Sequence, residues 1–484
     1  MEVTNLNDSG AGSFRACAEG SGARTCIFRV AGIITLTSGV RIVNPFLTVA
    51  GQSAPGGGVE IDGHLISGGD NDIFVQTHDV IIRYIRVRVG NSSAHSPGPL
   101  TGVMCLWVGN GDVYNVMLDH VSMSWSDNKD ISPYNNSGTS GVTRSYTTSW
   151  SIISESIQPH STGFMTGNVN GTADSMTDID IHHTLFAHVD HRNPLLKNKT
   201  TRFVNNLIFD WVFYAFQGLG GLQADAIGNK FKDGPSTEGG IHEFQISDST
   251  SGGDTSTGTP TLYLQGNVGP DQPNPTGDQW VMASEITGEN GGETAPVRSN
   301  WRRSSPLTSP TFPIRTDDVS TLDSDMLPMV GASQRLDCLG NWVNMRDSYD
   351  TRIVNDYLNG DYSNGSIPTS SSSTVYPTID AGTPCPSTAH DGLPDAWKAR
   401  YGFSAGDTSL ANSVSMNGFT YLENYLNGTD PNTLVIARVM RPASEGLHNP
   451  LAELASQLLL ARFPWSSGFL GRWVRATSPL SGRR

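Results

Sequence analysis

The stretch His183-Thr184-Leu185-Phe186-Ala187-His188-Val189-Asp190-His191-Arg192-Asn193-Pro194-Leu195-Leu196-Lys197 ends a β-like run in imidazoles, a guanidinium and an amine. Upstream, Asp119, Asp127 and Asp130 form a compact acidic group. Carboxylates near cations suit a metal-assisted reaction on an anionic substrate, because a bridging divalent ion and fixed positive charge can together offset the substrate's charge. Each residue also has a plainer role. The Asp residues can form turns or cap coils. Arg192 can pair with Asp190. His120 and His183 suit internal hydrogen bonds, whereas His160, His188 and His191 suit the lining of a cleft. Zinc among these histidines would need orienting partners that the sequence does not indicate.

The elements that must position these groups are short. From about residue 27 to 270, β-branched or aromatic runs alternate with Gly, Asn, Ser or Asp, as in Val80-Ile81-Ile82-Arg83, Val116-Met117-Leu118-Asp119 and Ile179-Asp180-Ile181-His182. These runs read as strands, and no helical period persists. His182-His183, Asn205-Asn206 and Gly228-Asn229 precede successive strands, with His183, Asn206 and Asn229 spaced 23 residues apart. A step of that length with recurring Asn at a bend predicts coil stacked on coil, a parallel β-helix. A sandwich or propeller would show hairpin turns or a blade motif, and neither is evident.

Composition agrees. The 484 residues include 53 Gly and 27 Pro, and only 16% are charged, which favours many short strands and turns over long surface helices. The formal net charge of −15 and the lack of an extended basic face argue against a nucleic-acid partner. No apolar run of about 18 residues is present to span a membrane. The five cysteines divide into Cys17 with Cys26, Cys338 with Cys385, and Cys105 in a core run, a pairing that suits an exported protein. Met1 to Asn5 carry no signal peptide and read as a mature start with an added Met.

Residues 1–360 are assigned to the coil domain, within which 270–335 are expected to wrap it as loops and Asp347 to Val354 to form a helix. Residues 361–384 read as a linker with a Ser run. Residues 385–434 read as a small unit with two short helices, one opening near Asp391 or Pro394 and one ending at Asn427-Gly428. Its Asp-rich loop lacks the full calcium ladder of an EF-hand and is read as a helix cap. The basic tail, 435–484, differs from the rest, reads as a foreign or frame-shifted extension, and is assigned no function.

The motifs Val3-Thr4-Asn5-Leu6-Asn7-Asp8-Ser9-Gly10, Thr48-Val49-Ala50-Gly51-Gln52-Ser53-Ala54-Pro55-Gly56, Leu118-Asp119-His120-Val121-Ser122-Met123-Ser124-Trp125 and His188 to Lys197 resemble those of secreted bacterial pectate lyases of polysaccharide lyase family 1. The resemblance covers about residues 3 to 360. It implies a right-handed parallel β-helix, calcium, and β-elimination on polygalacturonate by a secreted monomer. It also implies that Asp119, with Asp127 or Asp130, ligates calcium. Arg192 would take the C5 proton, against the ordinary rule that a guanidinium keeps its own, or would stay cationic while hydroxide takes that proton. Lys197 would bind a substrate carboxylate, with Thr162, His188 and His191 as further substrate contacts.

Two positions depart from the family pattern. Asn128-Lys129 stands where relatives place an Asp–Glu pair, and Thr162 where they place a substrate-binding Lys. These departures keep other readings open. A pectin lyase would act on methylated polymer without calcium, favouring aromatics over an acidic cleft. A non-catalytic coil would bind polysaccharide without forming product. A hydrolase on the same fold would need paired catalytic carboxylates.

Overall fold

The computed structural model describes residues 1–433, except 68, 93–94, 96–101, 137–140, 169–174, 249–257, 309–311, 371 and 373. The tail expected from residue 435 lies outside the described residues.

Three strands per turn wind the chain into a right-handed parallel β-helix. The first sheet has ten parallel strands in chain order along its length, including Val80–Arg83, Val113–Asp119, Thr143–Ser149, Met176–His182, Thr200–Val204 and Gln223–Ile227. The second has eight, including Arg86–Arg88, Ser122–Ser124, Ile152–Ser154, Leu185–Ala187 and Leu207–Phe209. The third face is built from Val40–Ile42, Asn71–Val75, Met104–Val108, Lys129–Asn135 and Thr162–Phe164. It continues through Leu195–Leu196, Phe216–Leu219, Phe244–Ser247 and Ala283–Ile286. The bridges Thr162 to His191 and Met165 to Leu195 join these two halves.

Parallel register sets each residue above its counterpart one coil earlier. Ile82, Leu118, Thr148, Ile181, Phe203 and Ala226 form one such buried column. Each large apolar member stabilises the coil by about 2 kcal/mol through burial. The predicted asparagine column is present. The Asn206 side-chain amide and main-chain N–H both donate to Asn229 Oδ1, at 3.0 and 2.9 Å. Asn229 donates likewise to Asn267 Oδ1. The step from Asn206 to Asn229 is 23 residues, but the residue aligned with Asn206 one coil earlier is Thr184, whose N–H donates to Asn206 Oδ1. His183 aligns instead with Asn205 and Gly228, all of positive φ (51°, 52° and 62°). Tyr84, His120 and Trp150 hold the same left-handed bend on earlier coils. Their rings stack at centroid spacings of 4.5 Å (Tyr84–His120), 5.8 Å (His120–Trp150) and 4.6 Å (Trp150–His183). His120 and His183 are therefore rungs of a structural stack.

The C-terminal third lies on the coil. The predicted helix is Ser348–Asn359, capped by the Asp347 carboxylate, which accepts from the Asp350 N–H, and closed by Gly360 in the left-handed conformation. The segment expected to be a linker is largely exposed and is anchored at Tyr376, whose hydroxyl donates to Asp62 Oδ1 at 2.7 Å. The two small helices are Asp395–Arg400 and Tyr421–Leu426. Trp397 packs with Ile27 and Ala50 of the coil. Asp391 pairs with Lys398 at 2.8 Å and Asp395 accepts from Thr388, but the helix opens at Pro394 with no side-chain cap, so the expected aspartate cap is not formed. Disulfides join Cys17 to Cys26 and Cys338 to Cys385, and Cys105 is a free buried thiol. No helix among the described residues is long and apolar enough to cross a membrane.

Candidate active site

Lys129, Thr162 and His191 stand in register on three successive coils of the third face. Arg192 follows His191 at a left-handed bend, φ 64°. The Arg192 guanidinium donates to Glu289 Oε1 at 2.9 Å, and the Lys197 ammonium meets Glu289 Oε2 at 2.6 Å. Glu289 lies in the connection between Ala283–Ile286 and the antiparallel Glu293–Pro296, so a hairpin tip brings this carboxylate onto the coil. Arg192 is thus paired with Glu289.

Lys129 faces the same cluster. Its ammonium donates to Asn128 Oδ1 at 2.6 Å. Burial and the neighbouring Arg192 and Lys197 push its pKa down to about 7, with Glu289 opposing. Burial, together with Lys129, Arg192 and His191, pushes the His160 imidazole down to about 2, so that ring is neutral at working pH. His191 packs edge-on to His160 and against Phe213, and burial lowers its pKa as well. The buried Tyr214 ring closes on His191, with Arg192 beside its hydroxyl. The arrangement is a concentration of positive charge with a neutral aromatic wall, suited to an anionic group.

Two expected substrate contacts do not face this cluster. Thr162 is fully buried and its hydroxyl donates to the Asn128 carbonyl. His188 is also fully buried, with Nδ1 2.6 Å from Asp210 Oδ2 and its ring stacked on Tyr362. Both are internal braces in this structure.

The three carboxylates expected to hold calcium stand on separate partners. Asp119 meets Arg83 Nε at 2.8 Å and His120 Nδ1 at 2.9 Å, and accepts from the Ser149 hydroxyl at 2.8 Å. Burial would raise its pKa, but His120 and Arg83 hold it well below the usual carboxylate range. Asp127 accepts from the Val103 N–H and lies 3.1 Å from His95 Nδ1. Asp130 points inward, accepts from the Ser156 hydroxyl at 2.6 Å and touches Cys105. Burial pushes it up to about 8, so it is largely protonated at neutral pH. Among the described residues no group of three His, Cys, Asp or Glu side chains gathers to hold a metal ion. A neutral carboxyl, a salt-bridged one and one tied to a main-chain N–H are not a calcium donor set.

Sequence reasoning missed Glu289. Nothing in its surroundings, Thr287-Gly288-Glu289-Asn290-Gly291, marks it except turn-forming residues. It also left Lys129 as a departure without a role.

No protein-family model matches the chain. The chain is 27% identical over 437 residues to "Probable pectate lyase C" of Aspergillus fumigatus, covering 89% of each protein. It is 28% identical over 443 residues to the Aspergillus oryzae protein of the same name, again covering 89% of each. These relatives are fungal, so the bacterial type suggested by the motifs is not borne out. Among solved structures, the cedar pollen allergen jun a 1 aligns with TM-score 0.44 and 14% identity, over 68% of this chain and 88% of its own. A pectate lyase from Bacillus sp. N165 in complex with trigalacturonate aligns with TM-score 0.41 and 18% identity, over 64% and 85%.

Proposed function

We propose that the chain is a polysaccharide lyase that cleaves polygalacturonate by β-elimination to 4,5-unsaturated oligogalacturonides. The observation that carries this reading is the convergence of Arg192 and Lys197 on the two oxygens of one carboxylate. Glu289 indicates what the pair recognises, and a galacturonate carboxylate offers the same group. The likeness to curated pectate lyases along 89% of the chain supports the reaction class. Two disulfides fit a secreted enzyme.

In the reaction the C5–H bond breaks and its electron pair stays on C5 as a carbanion conjugated with the carboxylate. The C4–O glycosidic bond then breaks as that pair forms the C4–C5 double bond, and the departing oxygen takes a proton from water. The C5 proton is weakly acidic because the adjacent carboxylate is already charged. Arg192 and Lys197 offset that charge as the carbanion develops, and their fixed positions need no reorganisation at that moment. Because Arg192 holds the carboxylate as a cation it cannot also accept a proton, so the C5 proton passes to hydroxide, and Arg192 stabilises the carbanion that is left. Family likeness implies calcium as a further Lewis acid, but the donor set does not fit one, so no step is assigned to it. A methyl ester could not pair with these cations, so pectate is favoured over methylated pectin.

Mass spectrometry of a polygalacturonate digest tests the reading. Elimination gives oligomers lighter by one water than the hydrolytic series. A purely hydrolytic series, or an unchanged polymer, contradicts it.

A further inference from the structure

The coil region that family likeness assigns to calcium carries a lysine. Asn128 and Lys129 stand where an acidic pair was expected, and none of Asp119, Asp127 and Asp130 is disposed to bind a divalent ion. Lys129 opens the strand Lys129–Asn135, and its neighbour Asp130 takes the opposite, inward side. That alternation turns the ammonium outward, toward Arg192 and Lys197.

We infer that this site binds uronate carboxylates without a divalent cation, with Lys129 as the third cation beside Arg192 and Lys197, and with Glu289 yielding its place to the incoming carboxylate. The inference rests on the lyase reading for its choice of ligand. Three observations support it. First, Lys129 is nearly buried, and its ammonium is oriented by the Asn128 side chain rather than extended into solvent. Second, Lys129 stands in register with Thr162 and His191, the residue before Arg192, so the strand pairing places three cations on one face of the coil, where they repel one another and gain from an added negative charge. Third, Glu289 reaches the cluster from a hairpin tip, outside the stacked coils. A carboxylate carried on such a tip can be displaced at smaller cost than one fixed on a coil strand. The role otherwise given to a bridging ion, supplying positive charge between protein and polymer, falls to Lys129.

The test is titration calorimetry of trigalacturonate at about pH 6, where Lys129 is protonated, in excess EDTA and then in calcium, for the full-length wild type, Lys129→Met, Lys129→Arg and Glu289→Gln, with thermal melts confirming that each variant folds. Wild type is expected to bind in EDTA with affinity little changed by calcium. Lys129→Met should weaken binding about tenfold or more, the loss expected for one charged hydrogen bond. Lys129→Arg should restore most of it, and Glu289→Gln should tighten binding. Binding that requires calcium, wild-type affinity in Lys129→Met, or no binding in either condition would overturn the inference. The lyase reading is tested separately by product absorbance on the same samples. Product formed only with calcium leaves the lyase reading intact and removes this inference. Tight binding in EDTA without product from polygalacturonate or pectin removes the lyase reading and leaves the cation cradle.

Discussion

Arg192 and Lys197 hold the two oxygens of Glu289, at 2.9 and 2.6 Å, although the glutamate lies 97 residues beyond Arg192 in the chain. The pair is nearly buried, and each cation is neutralised from the hairpin tip. A substrate carboxylate and Glu289 therefore compete for the same donors. Glu289→Gln is expected to lower KM for polygalacturonate several-fold, about threefold to tenfold for the loss of a charged competitor, with kcat changed less. Steady-state kinetics at low and high salt checks this, and the advantage of the variant should shrink as salt rises. An increased KM would show that Glu289 helps to hold the polymer.

Asp119 acts in folding. Its partner Arg83 also donates to Asn427 Oδ1 at 2.9 Å, which ties the first sheet to the end of the small C-terminal unit. Asp119→Ala leaves a buried guanidinium without its carboxylate and is expected to cost about 3 kcal/mol. Denaturant unfolding with and without calcium checks it. The loss should be the same in both, whereas a calcium ligand would show a loss only when calcium is present.

Asp130 gives the coil a pH dependence of known sign. Its pKa rises to about 8 in the folded chain, from roughly 3.9 unfolded. Between these values the folded state binds the extra proton, so this group's contribution to stability falls as pH rises from about 4 to 8 and is constant above. Asp130→Asn keeps an acceptor for the Ser156 hydroxyl and cannot ionise. Its Tm relative to wild type is expected to climb across that window and then level off. A difference that is flat with pH would contradict a protonated Asp130.

The asparagine column is a further test. Asn229 accepts from both the Asn206 N–H and its side-chain amide, and donates to the Phe203 carbonyl. Asn229→Ala strands several buried polar groups and is expected to cost about 3 kcal/mol or more. Replacing Lys230 of the same coil, whose half-buried ammonium pairs with Asp323 at 2.6 Å, with Ala should cost about 1 kcal/mol or less, and urea melts of both variants check the contrast.

How far these features were legible in the chain follows from the range of the interactions. Asn206 and Asn229 repeat because each coil must satisfy the same bend, so a periodic structure leaves a periodic sequence. The step to the preceding coil was read one residue off, because His182-His183 looks like Asn205-Asn206 in type, while strand pairing aligns Thr184 with Asn206. Arg192 and Lys197 were legible because they share one short motif. Glu289 was not, since its role arises only when a distant hairpin folds over the coil. His188 was placed at the cleft by its closeness in sequence to Arg192. His188 is itself a left-handed bend, φ 56°, and strand register stacks it on Asp210 of the next coil instead, a pairing that local sequence does not reveal.

The central claim is tested most directly by ultraviolet absorbance of the unsaturated product from polygalacturonate at alkaline pH, for wild type and Arg192→Ala. Product from wild type with a loss of about a hundredfold or more in Arg192→Ala is the expected result, in the range that charge stabilisation contributes. Wild-type turnover in the folded Arg192→Ala variant, or no product from either protein, would contradict it.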